Sequence, residues 1–380
     1  MDKKISLYIH IPFCTQKCRY CDFYSLNYSE EYADRFIEAL AKEWESAASA
    51  YNLEDAEVTT LYFGGGTPGR LSTDQWEAIN ELLITEFPLA DGCEFTIECN
   101  PESFTDDKAL MWHQIGVTRL SIGIQSLANE ELAMLGRCHT MEQALDVCES
   151  SVIQKFKSTS IDLMYGLPGQ TVDSLNKTLE TLLRYNHISH LSAYELTIHE
   201  GTPFWEQRKV LPLPIEDMVV EMTSLIDTTC SSHGLYHYEI SNYAKDGFRC
   251  RHNYAYWEHK PYLGLGPSAH SYLHPYRFAN TDSLDEYLIG IKQGKLPVAD
   301  REKLDPQTLA GEILFLGLRT VEGVCEERLY AMTGIQLYTG LRRGILDNLF
   351  DSGYIIKDGS QWKLTEKGML IADEIARRLM

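Results

Sequence analysis

Ser6-Leu-Tyr-Ile-His-Ile-Pro-Phe-Cys14-Thr-Gln-Lys-Cys18-Arg-Tyr-Cys21 joins a strand signal directly to a knot of thiols. Residues 6–11 are rich in β-branched and aromatic side chains, Pro12 stops the run, and three cysteines follow within eight residues. Iron prefers thiolate sulfur, and a short loop with these spacings can wrap one iron–sulfur cluster. Three ligands for four irons leave one iron open, and an open metal position marks chemistry rather than bracing. Zinc would want a fourth Cys or His close by. His10 precedes the loop on the strand, yet nothing within the loop completes that set. Cys14, Cys18 and Cys21 are therefore expected to hold one [4Fe-4S] cluster.

Outward from this loop, the first half of the chain alternates short strands with amphipathic helices, the pattern of a parallel sheet. Strands are expected over 6–11, 59–63, 94–99, 119–125, 159–164 and 191–196, with helices over 29–48, 72–86, 106–115, 141–152 and 172–185. Ser72, followed three residues later by Gln75, resembles a capping box. Six such units fit an open doubly wound sheet or a partial barrel, and the pattern alone leaves both open. Pro212 and Pro214 interrupt the array. A helix over 215–232 and two aromatic stretches follow. The last part shows three helices, a Gly353-Tyr-Ile-Ile strand, an Asp358-Gly359 turn, a second strand ending at Leu364 and a closing helix, which resembles a winged helix. The division expected is 1–212 for the β-α array, 213–300 for a mixed α+β region and 301–380 for the C-terminal domain.

At 380 residues with 44% apolar and 23% charged content, the chain can bury a sizeable core. Its formal charge of -21 repels phosphates, which argues against a broad nucleic-acid or anionic-lipid surface. It is compatible with small molecules and basic protein partners. From Leu341 onward seven Lys/Arg face six Asp/Glu, a net of only +1, so the winged helix is not expected to read a DNA groove. His10 and Pro12 interrupt the apolar run near the start, and no stretch approaches the roughly 18 to 20 apolar residues that span a bilayer. The chain reads as cytoplasmic and not secreted, where thiols stay reduced. Of its ten cysteines, Cys93, Cys99, Cys138, Cys148, Cys230 and Cys325 show no ligand spacing and are read as packing residues.

Several polar residues stand at expected strand ends, where barrel enzymes place their chemistry. Gly64-Gly-Gly-Thr-Pro68 follows the second strand and would let a ligand approach the backbone. Glu98 and Gln125 end the next two strands, Asp162 stands near the end of the fifth, and Arg137 lies between. Each could bind a ligand at one common mouth, or merely cap a helix. The C-x3-C-x2-C spacing with an aromatic before the third Cys resembles the radical S-adenosylmethionine superfamily. That resemblance implies a partial (β/α)6 barrel over 1–212. It also implies that the open iron holds the amine and carboxylate of S-adenosylmethionine, cleaved there to a 5'-deoxyadenosyl radical. Tyr8-Ile-His-Ile-Pro-Phe-Cys14, the glycine run, Ser121-Ile-Gly-Ile-Gln125 and Ile161-Asp-Leu-Met-Tyr-Gly-Leu-Pro168 narrow it to the oxygen-independent coproporphyrinogen III dehydrogenase subfamily, over nearly the whole chain. The narrower resemblance implies cofactor contacts from Tyr8, Tyr20, Gly65, Gly66, Thr67, Glu98, Gln125, Arg137 and Asp162.

Two departures count against that dehydrogenase itself. It carries a further cysteine two residues after the third ligand, where this chain has Phe23, and an extension ahead of its barrel. His252-Asn-Tyr-Ala-Tyr-Trp257 instead resembles the H-N-x-x-Y-W signature of the subfamily's haem-chaperone (HemW-type) branch, whose Cys-x-Phe also matches Cys21-Asp-Phe23. A haem site needs an axial donor such as imidazole, and flat apolar walls that Tyr254, Tyr256 and Trp257 could supply. Without the resemblance, a His beside three aromatics is more often a packed core residue. The resemblance implies His252 as haem ligand and haem-accepting proteins as recipients, membrane-bound respiratory enzymes among them, with peripheral contact at the inner face of the membrane. A homodimer is compatible with it. Cys250 is a second axial candidate or a buried thiol, and His270 a further candidate in a segment that reads as a structural turn. Without C-x-x-C-H, thioether attachment is not indicated. Three function classes follow: a haem carrier with cluster and S-adenosylmethionine, a radical enzyme oxidising or methylating a porphyrin or related substrate, and, on weaker grounds, a cluster-state sensor. Whether the cofactor is cleaved productively is left open.

Overall fold

A computed structural model describes residues 4–380. Six parallel strands, Lys4–Ile11, Glu57–Gly65, Leu89–Cys99, Arg119–Gln125, Ser158–Tyr165 and Ile188–Glu195, lie side by side in chain order. A doubly wound sheet reverses its strand order partway. The six strands do not, and this settles the architecture as a partial barrel. The expected elements form with ends that differ by a few residues, except that the closing helix is two, Glu366–Met369 and Ala372–Leu379. Ser72 and Gln75 make their capping box through reciprocal bonds of 3.2 and 2.9 Å. The helix Asn129–Leu135, just before Arg137, was not anticipated.

The same sheet runs on at both edges to twelve strands. Tyr262–Leu265 pairs in parallel with the first strand, and three antiparallel strands follow it. Asn242–Ala244 and Tyr236–Glu239 extend the other edge. The buried carboxylate of Glu43, on the helix Glu30–Tyr51, accepts from Gly266 N (2.8 Å), Asn280 Nδ2 (2.7 Å) and the Tyr287 hydroxyl (2.7 Å). It thereby ties the Gly-Leu-Gly-Pro segment at 264–267 to the barrel.

Side chains alternate across a strand, so each strand has two faces. Leu7, Ile9, Ile11, Leu61, Phe63, Phe95 and Ile97 are buried with the helices in one core. The opposite face is polar. Ser6, Tyr8 and His10 lie in register with Thr60, Tyr62 and Gly64, which lead to Glu94, Thr96 and Glu98, then Arg119 and Ser121. Ser160 and Asp162, then His190 and Ser192, continue these rows. A parallel strand buried on both faces ordinarily reads as an apolar run. These polar rows mark the barrel interior as a lined cavity.

Residues from Leu304 onward form a second core around Leu309, Leu314, Leu329, Leu346, Trp362 and Ile375. Here the expected hairpin becomes a three-stranded sheet, because Val324–Cys325 adds to Gln361–Leu364. Cys99, Cys148 and Cys230 are buried, as expected of packing residues. Cys93 is partly buried against the first core, whereas Cys138 is exposed and Cys325 only partly covered, so packing does not account for these two. Among the described residues no helix is long and apolar enough to cross a membrane.

Candidate functional site

A cavity of about 440 Å³ opens at the carboxyl ends of the parallel strands. Cys14, Cys18, Tyr20, Cys21, Gly65, Gly66, Thr67, Glu98, Gln125, Arg137 and Asp162 all line it, so the strand ends do bring these candidates together. Tyr8 does not. Its hydroxyl pairs with His10 Nδ1 at 3.1 Å, and its ring lies 6.2 Å from that of Tyr62. Exposed Phe23 stands at the cavity rim.

Backbone bonds close the cysteine loop. Leu26 N donates to Pro12 O (2.7 Å), Tyr28 N to Cys14 O (3.0 Å) and Arg19 N to Leu135 O (2.9 Å). Burial pushes the Cys21 thiol up to about 11 and raises that of Cys14. A thiolate there needs cationic company, which iron supplies. No three His, Cys, Asp or Glu side chains among the described residues crowd closely enough to share one ion. Three thiols lining one cavity suit a cluster, in which each would bind a different iron.

Two donors already aim at these sulfurs. Thr67 Oγ1 lies 3.7 Å from Cys14 Sγ, and Arg137 Nη1 lies 3.6 Å from Cys18 Sγ. Asn100 joins them, giving Nδ2 to Thr67 Oγ1 (3.1 Å) and accepting from Arg137 Nη2 (2.6 Å). Arg137 Nη2 also donates to Gly123 O at 2.6 Å. Burial works against the guanidinium charge, but Tyr20, Cys18 and Glu102 hold its pKa above the ordinary value. Sequence reading missed Asn100, though its place just past Glu98 and before Pro101 was a signal.

Glu98 accepts from the Tyr62 hydroxyl at 2.7 Å and from Gly65 N at 3.2 Å. Burial raises it to about 7, so its charge is adjustable near neutrality. Asp162, held by Ser121 Oγ at 3.0 Å, is also raised by burial, with Ser192, Ser121 and Arg119 opposing. Gln125 ends its strand in the left-handed region at φ 67°. A non-glycine residue there bears a conformational cost that functional sites tend to tolerate.

His252 lies behind this cavity rather than on its wall. Its Nδ1 pairs with Thr60 Oγ1 at 2.8 Å and its Nε2 with the Tyr256 hydroxyl at 2.7 Å. The ring stacks on Tyr62 at 4.9 Å, and burial drops its pKa to about 3, so the imidazole is neutral. The three aromatics do not share one wall. Tyr256 lines an outer cavity of about 680 Å³, whereas Tyr254 and Trp257 line a separate one of about 460 Å³. Cys250 is buried and pushed up to about 12 by that burial, with Glu94 adding to it. His270 is exposed at the start of the strand His270–Leu273.

Comparisons with known proteins agree with this geometry. A model of the radical SAM superfamily matches residues 8–182, and one of the HemN C-terminal domain matches 304–371. Heme chaperone HemW of Bacillus subtilis is 33% identical over 97% of each chain. Heme chaperone HemW of Escherichia coli is 32% identical over 98% of this chain and 97% of that one. The solved structure of coproporphyrinogen III oxidase (HemN) from Escherichia coli, a radical SAM enzyme, superposes with a TM-score of 0.86 at 23% identity, covering 100% of this chain and 90% of that one. This last likeness speaks for the fold alone. Kinship above 30% along essentially the whole chain reaches further, and by it this chain belongs to the heme chaperone HemW family of radical SAM proteins.

Proposed function

We propose that this chain is a haem chaperone that holds a [4Fe-4S] cluster on Cys14, Cys18 and Cys21, binds S-adenosylmethionine in the polar cavity, and passes haem to acceptor proteins. The observation that carries this reading is the kinship with proteins named heme chaperone over 97% of each chain, because that span includes both the cysteine loop and the helix Arg251–Trp257. Phe23 at the cavity rim supports the carrier over an oxidising enzyme. Respiratory haem proteins are the recipients proposed, which places the chain in the cytoplasm with transient contact at the membrane's inner face.

The cluster, when bound, supplies one electron at an open iron. The chain's own groups supply the rest of the cofactor site. Gly65 and Gly66 let the glycine run pack tightly on the first strand and the cysteine loop, since an added Cβ would stand 2.5 Å from the His10 ring at Gly65 and 2.7 Å from Ile11 O and Phe13 O at Gly66. Glu98, Asp162 and Gln125 would present two carboxyls and an amide to the polar groups of the bound cofactor. Arg137 and Thr67 direct hydrogen bonds at cluster sulfur. The helix Arg251–Trp257 is the proposed haem element. For iron to bind His252, one of its two hydrogen bonds must open, and the Tyr256 hydroxyl is the partner nearer the outer cavity.

Two measurements test this reading. After anaerobic reconstitution, haem is titrated into the protein and the loaded complex is mixed with a haem-free acceptor. Transfer of haem in its original form is expected; release of 5'-deoxyadenosine coupled to a modified tetrapyrrole would favour the enzyme instead. The second concerns pH. A cationic ligand prefers ionised Glu98, so below about pH 7 binding must first expel a proton. Affinity for S-adenosylmethionine should fall by up to about tenfold per unit below that point and stay level above it. Glu98→Gln should flatten the profile, and a parent profile level from pH 6 to 8 would remove Glu98 from the site.

A further inference from the structure

The outer cavity carries a nitrogen donor that no sequence motif marks. The cavity lies between the end of the helix Arg251–Trp257, the strands Tyr262–Leu265 and His270–Leu273, and the helix Pro306–Gly317. Tyr256, Tyr262, Tyr272 and Phe315 wall it, and its volume of about 680 Å³ falls in the range of small-molecule sites. Aromatic faces of this kind suit a flat ligand.

His259 belongs to the same wall and is 7% exposed. Its Nε2 lies 3.0 Å from Glu312 Oε2, and the other oxygen of Glu312 accepts from Arg277. Its Nδ1 is buried and has no hydrogen-bond partner. An imidazole that gives one ring N–H to a carboxylate and keeps the other nitrogen free is held as metal-binding histidines are held. Glu312 favours the tautomer with the proton on Nε2, which leaves the Nδ1 lone pair available.

The backbone adds an independent sign. The helix closes in a Schellman arrangement, with His259 N on Tyr256 O and Lys260 N on Ala255 O, both at 2.9 Å. His259 thus occupies the left-handed position, at φ 51°, where glycine is the usual residue. A histidine there bears a cost that glycine would not.

We propose that His259 Nδ1 is an axial donor to haem iron, with the tetrapyrrole seated in this aromatic cavity. The proposal rests on the haem-carrier reading above. Unlike His252, His259 need not surrender an existing hydrogen bond to bind iron; what must shift to uncover its buried Nδ1 is a neighbour such as the Tyr272 ring, packed edge-on 4.1 Å from the imidazole.

Ferric haem and iron-free protoporphyrin, titrated separately into the full chain and its His259→Gly variant, provide the test. Glycine is at ease in the left-handed cap, so the variant should fold, and its thermal midpoint checks that. Haem affinity should drop by about tenfold or more. The Soret band should move to that of iron with one ligand fewer, while iron-free porphyrin binds both proteins alike. Glu312→Gln should weaken haem in the same direction, by less. Parental haem affinity and spectrum in His259→Gly would overturn the proposal and leave the carrier reading intact. Equal weakening of haem and porphyrin would overturn it too, since then only the shape of the cavity changed. A parent that binds neither ligand would overturn both readings.

Discussion

Cys18→Ser is expected to leave the chain without its cluster. Iron and acid-labile sulfide, about four of each per chain in the reconstituted parent, should fall to near zero. The reason is chemical rather than steric. Serine nearly matches cysteine in shape, but its hydroxyl is a hard, weakly acidic ligand where iron–sulfur chemistry wants thiolate. The loop itself should persist. Arg19 N on Leu135 O (2.9 Å), Phe204 N on Arg19 O (3.1 Å) and Tyr28 N on Cys14 O (3.0 Å) close it through backbone bonds that the substitution leaves in place. The variant should therefore keep the parent's circular dichroism and lose its charge-transfer absorbance. Cys14→Ser and Cys21→Ser should behave alike. Unchanged iron in all three would end the cluster reading.

Gly66→Ala should damage fold and site together. An added Cβ would stand 2.7 Å from both Ile11 O and Phe13 O and 2.9 Å from Phe13 N. All three are backbone atoms, so no side chain can swing away. The two oxygens accept the bonds that zip the glycine run to the cysteine loop, Gly66 N to Ile11 O at 2.8 Å and Thr67 N to Phe13 O at 2.7 Å. Overpacking of this kind costs about 1–3 kcal/mol, read as a fall of several degrees in thermal midpoint. Thr67, displaced with the run, would lose its line to Cys14, and affinity for S-adenosylmethionine should fall at least about tenfold. Gly344→Ala is the control. No atom lies near its Cβ position on an exposed helix, so it should raise stability by about 0.5–1 kcal/mol. A Gly66→Ala protein as stable as the parent would show that the strand and loop are not packed as described.

What could be read from the chain was what local chemistry decides. Strand and helix periods, the Ser72 cap and the cysteine spacing all depend on residues within a few positions of one another, and the strands, helices and cap form near where expected. Polar residues at strand ends also announced themselves, because Glu98, Gln125 and Asp162 interrupt apolar runs at places where a parallel strand leaves the core. His252 was legible as a motif. Its surroundings were not, since Thr60 and Tyr62 reach it from a strand 192 residues away in one case.

Only tertiary structure decided between a wound sheet and a barrel, because strand order is set by which edges pair, and identical β-α units permit either. It alone separated Tyr256 from Tyr254 and Trp257, since a helical turn points neighbours in different directions and the packing partners choose the cavities. It alone joined Asn100 to Arg137 and His259 to Glu312. Those pairs lie 37 and 53 residues apart, and a hydrogen bond needs atoms within about 3 Å, a nearness that only the folded backbone creates.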